Sequence, residues 1–262
     1  MVAPRCHHIL ASPLTPATLP PIQAMISPVN AELNMTTAPR HFIALAGNIG
    51  AGKSTAAKII ARHFGCELFH EPVVDNRFLR NYYGDMTRWS FTLQMEFLLR
   101  RVEHHGQIDR MRASCVQDRT LIEDPEIFAK YLHGLGHMTD NELDLYFDFF
   151  KRFNHSIRQP NKVILLHTPD TRVLLKRIAE RGREEERGIT SDFLRGLNGY
   201  YETFAQVARR KYGLDVLEID VTSRDFRSGQ ERKRFLGEVA EFINRDLAPN
   251  EELPLSMESE TD

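Results

Sequence analysis

The stretch that most constrains this chain is Gly47-Asn48-Ile49-Gly50-Ala51-Gly52-Lys53-Ser54-Thr55, entered from the apolar run HFIALA and left through KIIARHFG. Gly47-x4-Gly52-Lys53-Ser54 has the G-x-x-x-x-G-K-[ST] spacing of a phosphate-binding loop. Glycines let backbone N–H groups converge on phosphate oxygens with no Cβ in the way. The helix expected next turns its positive N-terminus on the same anion. Lys53 suits the terminal phosphates, and Ser54 offers a hydroxyl to Mg2+. A strand before the loop and a helix after it separate such a motif from a chance glycine turn, and the flanking apolar pattern supplies both. The spacing predicts a bound nucleoside triphosphate. It does not by itself separate a kinase from a GTPase switch or an ATPase motor.

Beyond the loop, short apolar runs alternate with amphipathic stretches. Strands are expected at residues 41–47, 66–71, 114–118, 162–167 and 214–220, and helices at 53–65, 86–114, 125–134, 139–153, 169–182, 190–211 and 231–246. Gly65 ends the first helix, Pro125 opens the third, and Thr139 or Asp140 caps the fourth. This alternation predicts an α/β domain, a parallel sheet of about five strands covered by helices on both faces.

Composition narrows the class. With 262 residues, 42% hydrophobic and 27% charged, the chain suits one globular domain, and a formal charge of −2 gives no basic field for nucleic acid. No apolar run approaches the length of a membrane span. Cys6, Cys66 and Cys115 fit neither zinc spacing nor a disulfide framework, which suits a reducing compartment. Three regions are expected: an extension over 1–40, a domain over 41–247 and an acidic tail over 248–262. Residues 1–40 hold seven of the thirteen prolines and no acid before Glu32. They read as a flexible extension, a weak organelle transit peptide, or a segment upstream of a true start at Met35. The far end carries Glu251, Glu252, Glu258, Glu260 and Asp262 with no base.

Residues just past the C-terminal ends of parallel strands face the ligand crevice. Glu71 follows the second strand and could take a proton from a hydroxyl attacking the γ-phosphate; alone it reads more commonly as a surface acid. Asp118 ends the third strand, where an acid holds Mg2+ directly or through water, and Arg119 beside it could bind phosphate or anchor Glu71. Arg177 and Arg181 share a helix face, and with Arg183 they make a basic segment that Gly182 and Gly188 could let move, to close over a triphosphate; alone it reads rather as a solvated helix end.

Five ordered segments carry a resemblance: GNIGAGKST, EPV, RWSFTLQ, QDRTLIEDPEIFAK and RIAERGREEERGI. Over roughly residues 41–225 the chain resembles the deoxynucleoside kinases. The resemblance implies the P-loop kinase fold with an arginine-rich lid, ATP as donor, Mg2+ as cofactor and a deoxyribonucleoside as acceptor. It implies that the loop from Gly47 through Thr55 binds ATP, with Lys53 acting in catalysis and Ser54 and Asp118 serving the metal. Glu71 resembles the family's general base and Arg119 its partner at the 5′-oxygen. Arg177, Arg181 and Arg183 resemble the lid arginines. Tyr83 and Glu186 stand where relatives bind the sugar 3′-hydroxyl, Gln94 where they bind the base edge, Arg101 and Asp124 at two further base-pocket positions, and Phe128 at a stacking position. Gln94 and Arg101 are seven apart on one expected helix and so share a face, and a charged Arg101 in a pocket needs a partner such as Asp124. Asp118-Arg119-Thr120 replaces the E-R-S common in animal relatives, and Asn76 stands where many of them carry tryptophan; both are closer to bacterial members.

The expected activity is ATP-dependent 5′-phosphorylation of a deoxyribonucleoside in nucleotide salvage, with deoxyadenosine or deoxyguanosine favoured and deoxycytidine next, in the bacterial cytosol. The alternatives are a nucleoside monophosphate kinase of thymidylate kinase type, or a non-enzymatic relative. A homodimer is expected from the family and from Leu143, Tyr146, Phe147, Phe149, Phe150 and Phe153, more apolar residues than one core-facing stripe needs; a deeply buried helix would also account for them.

Overall fold

The computed structural model describes residues 41–71 and 76–245. The expected extension and tail, and Pro72 and Val73 of the EPV segment, lie outside the described residues.

Five parallel strands, β1 (Phe42–Ala46), β2 (Glu67–Phe69), β3 (Cys115–Asp118), β4 (Lys162–His167) and β5 (Asp215–Asp220), pair in the order β2-β3-β1-β4-β5. The central strands β3, β1 and β4 are buried on both faces, which is why β1 reads FIALA with no polar residue. Ile43, Leu45, Val116, Ile164 and Leu166 point into one core layer, against α1 (Lys53–Phe64), α6 (Thr171–Arg181) and α8 (Gly229–Asn244). Ala46, Val163, Leu165 and Val216 point the other way, against α3 (Met86–Arg110), α5 (Asp140–Ser156) and α7 (Ser191–Tyr212). This is the expected P-loop architecture.

Local chemistry sets the helix ends. Thr139 caps α5 in a reciprocal box with Glu142, and Thr190 caps α7 by accepting from the N–H of Phe193. Gly65 and Gly213 close α1 and α7 in the left-handed conformation.

Three expectations change. The helix expected over 86–114 ends at Arg110, because Ser114 serves the sheet instead: its Oγ accepts from the N–H of His41 and its carbonyl from the N–H of Glu67. A short helix, α2 (Leu79–Gly84), precedes α3; it is held by buried Leu79 and Tyr82 rather than by any period of its own. The helix expected over 125–134 opens as a π-helical turn, Asp124–Ala129, before α4 (Lys130–Gly134). The wide turn brings Asp124 and Phe128 to the central cavity, while Glu126 points away to Lys130, Lys211 and Tyr212.

Candidate active site

At the C-terminal ends of the strands the loop after β1, the turn after β3 and the segment after α6 enclose a cavity of about 440 Å³, a size suited to small-molecule ligands.

The phosphate loop forms its floor from Ile49 to Thr55. Two of its glycines are fixed by packing as well as by φ. A Cβ on Gly47 (φ 144°) would lie 2.3 Å from the carbonyl oxygen of Leu166, and one on Gly50 (φ 83°) 2.7 Å from that of Leu174. Gly47 and Asn48, expected to bind ATP, do not line the cavity; their polar groups are spent within the protein. The N–H of Gly47 donates to Glu123, and the Asn48 amide donates to Leu194 and Asn198 of α7, so these two residues brace the loop. Lys53 Nζ donates to the carbonyls of Gly47 (2.7 Å) and Asn48 (3.0 Å). Burial foremost, with Arg119 adding to it, pulls its ammonium down to about 8, against the pull of Glu71, Glu123 and Asp118.

Ser54 Oγ lies 2.5 Å from Asp118 Oδ2, and Asp118 Oδ1 is buried with no partner. Burial, with Glu71 adding to it, raises the Asp118 carboxyl above its ordinary value. A hydroxyl and an under-used carboxylate at a phosphate loop are oxygen donors of the kind Mg2+ takes; the residues fit the ion.

Glu71 sits two residues past β2, half-buried. Arg119 Nε donates to its Oε1, and Arg101 Nη2 approaches the same oxygen at 3.3 Å. Burial alone would raise this carboxyl; Arg119, then Lys53 and Arg101, outweigh it and hold Glu71 down at about 2. Arg119 itself adopts φ 80°, a left-handed conformation that costs a residue with a Cβ about 1–2 kcal/mol. Such a geometry persists where the surroundings over-determine it.

Residues of α3 and of the π-helical turn line another part of the cavity. Gln94 and Arg101 share one face of α3 and are both buried. Arg101 Nε meets Asp124 Oδ2 at 2.5 Å, while Gln94 Oε1 has no partner. Phe128 faces the cavity, with the Arg119 guanidinium 4.7 Å from its ring centre. Asn76 is buried and accepts from the N–H of Phe78 at 2.9 Å, turning the chain into α2.

The expected lid segment differs from a row of free cations. Glu186 lies in a single 3-10 turn, Glu184–Glu186, and takes Arg181 Nη2 at 2.5 Å and Arg183 Nη1 at 3.2 Å. Arg177 donates instead to the carbonyls of Val221 (2.7 Å) and Arg224 (2.9 Å), tying α6 to the loop after β5. Tyr83 faces this group; burial, then the Glu186 charge, raises its hydroxyl.

Two parts of the site escape sequence reasoning. The segment Arg224–Arg227 lines the cavity beyond Gly52, its only signal being its place after the last strand. Glu123 and Tyr201 lie beneath the cavity, and the sole trace of Glu123 is Thr120-x-x-Glu123. That spacing forms a reciprocal box: Thr120 N–H donates to Glu123, and Glu123 N–H to Thr120 Oγ1.

The chain is similar to known proteins along most of its length. A deoxynucleoside kinase family model matches residues 43–244. A deoxyadenosine kinase of Dictyostelium discoideum is 33% identical over 64% of this chain and 68% of its own. A deoxyguanosine kinase of Bacillus subtilis is 32% identical over 73% of this chain and 91% of its own. The structure of M. mycoides deoxyadenosine kinase with bound dATP superimposes with a TM-score of 0.67 at 30% identity, covering 76% of this chain and 99% of that one. With this match, and with a phosphate loop, a strand-end carboxylate and an arginine-rich segment around one cavity, the chain belongs to the deoxynucleoside kinase family and is an ATP-dependent phosphotransferase.

Proposed function

We propose that this kinase acts on a purine deoxyribonucleoside, deoxyadenosine or deoxyguanosine ahead of deoxycytidine, and returns its 5′-monophosphate to the nucleotide pool. The order of bases is supported by the names of relatives, and the observation that supports a nucleobase in this cavity is Gln94. Its Oε1 is buried, borders the cavity and finds no protein partner. A base edge bearing an N–H satisfies it, since an unpaired buried acceptor costs about 1–3 kcal/mol. Arg101 and Asp124 beside it offer a further donor and acceptor. The names of relatives, deoxyadenosine, deoxyguanosine and deoxyadenosine/deoxycytidine kinases, agree with that order of bases. The thymidylate kinase alternative is not favoured, because the family matched is one of nucleoside kinases.

In this reading Glu71 is the general base. It accepts the 5′-hydroxyl proton as the 5′-oxygen bonds to the γ-phosphorus and the bond from phosphorus to ADP breaks. A base held near 2 is ionised at every working pH, and a loose transition state asks for little proton transfer before the phosphoryl group moves. Lys53, Arg119, Arg181 and Arg183 offset the charge that moves. Ser54 and Asp118 would hold Mg2+, which when bound neutralises the β,γ-phosphate oxygens. Tyr83 and Glu186 would take the 3′-hydroxyl, Phe128 one face of the base, and Arg224–Arg227 the donor's base end. Steady-state kinetics across the four deoxynucleosides tests the acceptor: a thymidine kcat/KM above all others overturns the purine reading. Glu71→Gln should lower kcat by roughly 10²–10⁴-fold; near-normal turnover removes the base assignment.

A homodimer joined through α5 completes the proposal. Leu145 is 46% and Phe149 38% exposed, whereas on this helix Tyr146 and Phe150 are buried. That pattern supports a second contact face rather than a deeply buried helix. No described helix is long and apolar enough to cross a membrane. The free, buried thiol of Cys66 suits a reducing compartment such as the cytosol.

A further inference from the structure

We infer that Glu123 is the positioning residue that couples the donor loop to the acceptor turn, an inference that rests on the roles given above to Arg119 and Glu71. Glu123 is 0% exposed and does not line the cavity. Five donors surround its carboxylate. Oε1 takes the N–H of Gly47 (2.9 Å), Arg119 Nη1 (3.2 Å) and the hydroxyl of Tyr201 (2.7 Å). Oε2 takes the N–H (2.8 Å) and hydroxyl (3.0 Å) of Thr120. A carboxylate has about four lone-pair sites, so none is left for water or substrate.

The partners of Oε1 come from three separate elements: the phosphate loop, the turn after β3, and α7. Tyr201 shares its one proton between Glu123 and the carbonyl of Gly47 (2.8 Å), and Lys53 Nζ donates to that same carbonyl at 2.7 Å. Gly47 is thus held at its N–H by Glu123 and at its C=O by Tyr201 and Lys53. On the acceptor side Glu123 and Tyr201 both engage Arg119 Nη1, leaving Nε aimed at Glu71. This explains how Arg119 keeps its left-handed backbone. The hub therefore fixes the separation between the loop that carries the γ-phosphate and the carboxylate that meets the 5′-hydroxyl. Phosphoryl transfer depends on that separation, because reacting atoms must stand about 3–3.5 Å apart and in line.

Glutamate is required over its amide because both carboxylate oxygens face a backbone N–H, Gly47 on one and Thr120 on the other. A backbone N–H cannot reverse its polarity, so a glutamine of the same shape must point its NH2 at one of them.

The test is Glu123→Gln, with kcat counted per ATP-binding site. Expected is a fall in kcat of about 10–100-fold, the scale of a misplacement near 1 Å, with KM for the deoxynucleoside within about threefold of wild type. A lower Tm and fewer binding sites with unchanged kcat per site would mean that Glu123 only holds the fold, and overturns the inference. Should that variant not fold, Tyr201→Phe decides, since it removes only a hydroxyl. A loss of about 2–10-fold in kcat, the scale of one hydrogen bond, supports the hub, and wild-type kcat overturns it. In the combined variant one shared hub predicts no loss beyond that of Glu123→Gln, whereas independent, multiplying losses count against it. The two readings fail separately. Near-normal turnover of Glu71→Gln removes the base, and wild-type turnover of both Glu123→Gln and Tyr201→Phe removes the hub.

Discussion

Arg101 Nε and Asp124 Oδ2 meet at 2.5 Å, with both side chains nearly sealed from solvent. The pair is built from two elements, α3 and the π-helical turn, and its strength depends on Asp124 being ionised. Burial pushes the Asp124 carboxyl up to about 6, against the pull of Arg101. Its native value is above that of an unfolded aspartate, so it is charged above about 6 and neutral below. Deoxynucleoside affinity, measured by calorimetry without ATP, should therefore weaken as pH falls through about 6. The Asp124→Asn variant should bind weakly with no such step. Glu71, held near 2, contributes nothing in this window. A wild-type step between pH 4 and 5, or none at all, contradicts the assignment.

Asp118 Oδ1 and the Ser54–Asp118 contact predict the behaviour toward metal. Chelation should abolish phosphoryl transfer, and returning Mg2+ should restore it. Asp118→Asn keeps the shape and a partner for Ser54 but removes the charge. It should raise the Mg2+ concentration for half-maximal rate by about 10–100-fold, the usual cost of losing a supporting carboxylate, while deoxynucleoside affinity stays within a few-fold. An unchanged Mg2+ requirement would take Asp118 out of the metal site.

Glu186 binds Arg181 and Arg183 beside Tyr83. If this group receives the sugar 3′-hydroxyl, the wild-type enzyme should prefer a 2′-deoxynucleoside over its 2′,3′-dideoxy analogue by about 10–100-fold in kcat/KM, the worth of a hydrogen bond to a charged group. Tyr83→Phe and Glu186→Gln should each lose most of that preference. Glu186→Gln should also raise KM for ATP, because the two arginines lose their anchor. Equal use of both nucleosides by the wild type refutes the 3′-hydroxyl assignment.

Much of this molecule was legible in its sequence, for physical reasons. Strands buried on both faces must be continuous apolar runs, so FIALA and KVILL declare themselves. The long helices carry stripes, and Thr139 and Gly65 mark two of their ends. The loop, Glu71, Asp118 and Arg119 follow from the rule that ligands gather where parallel strands end. What stayed hidden depends on contacts between distant parts of the chain. The six residues of α2 are too few to show a period, and tertiary packing of Leu79 and Tyr82 holds them. Glu123 sits among acids, in IEDPE, and its partners Gly47 and Tyr201 lie 76 and 78 positions away. Arg177 looked like its neighbours Arg181 and Arg183, and only the fold set its guanidinium against Val221 and Arg224 rather than Glu186.

The apolar face left outside bears on assembly. On α5, Leu145 and Phe149 are exposed, and Phe149 stacks on Phe153. Leu99 of α3, the helix packed beside α5, is 46% exposed as well. Two neighbouring helices that both turn leucine or phenylalanine outward suit a self-complementary contact, because a two-fold axis lets one patch cover its own copy. Light scattering should give twice the 30.2 kDa chain mass. Placing glutamates at Leu145 and Phe149 should shift the protein to monomer with its fold retained, because neither side chain enters the core. Wild-type protein that runs as a monomer at micromolar concentration would refute the interface. A double variant that remains dimeric would move it to another face.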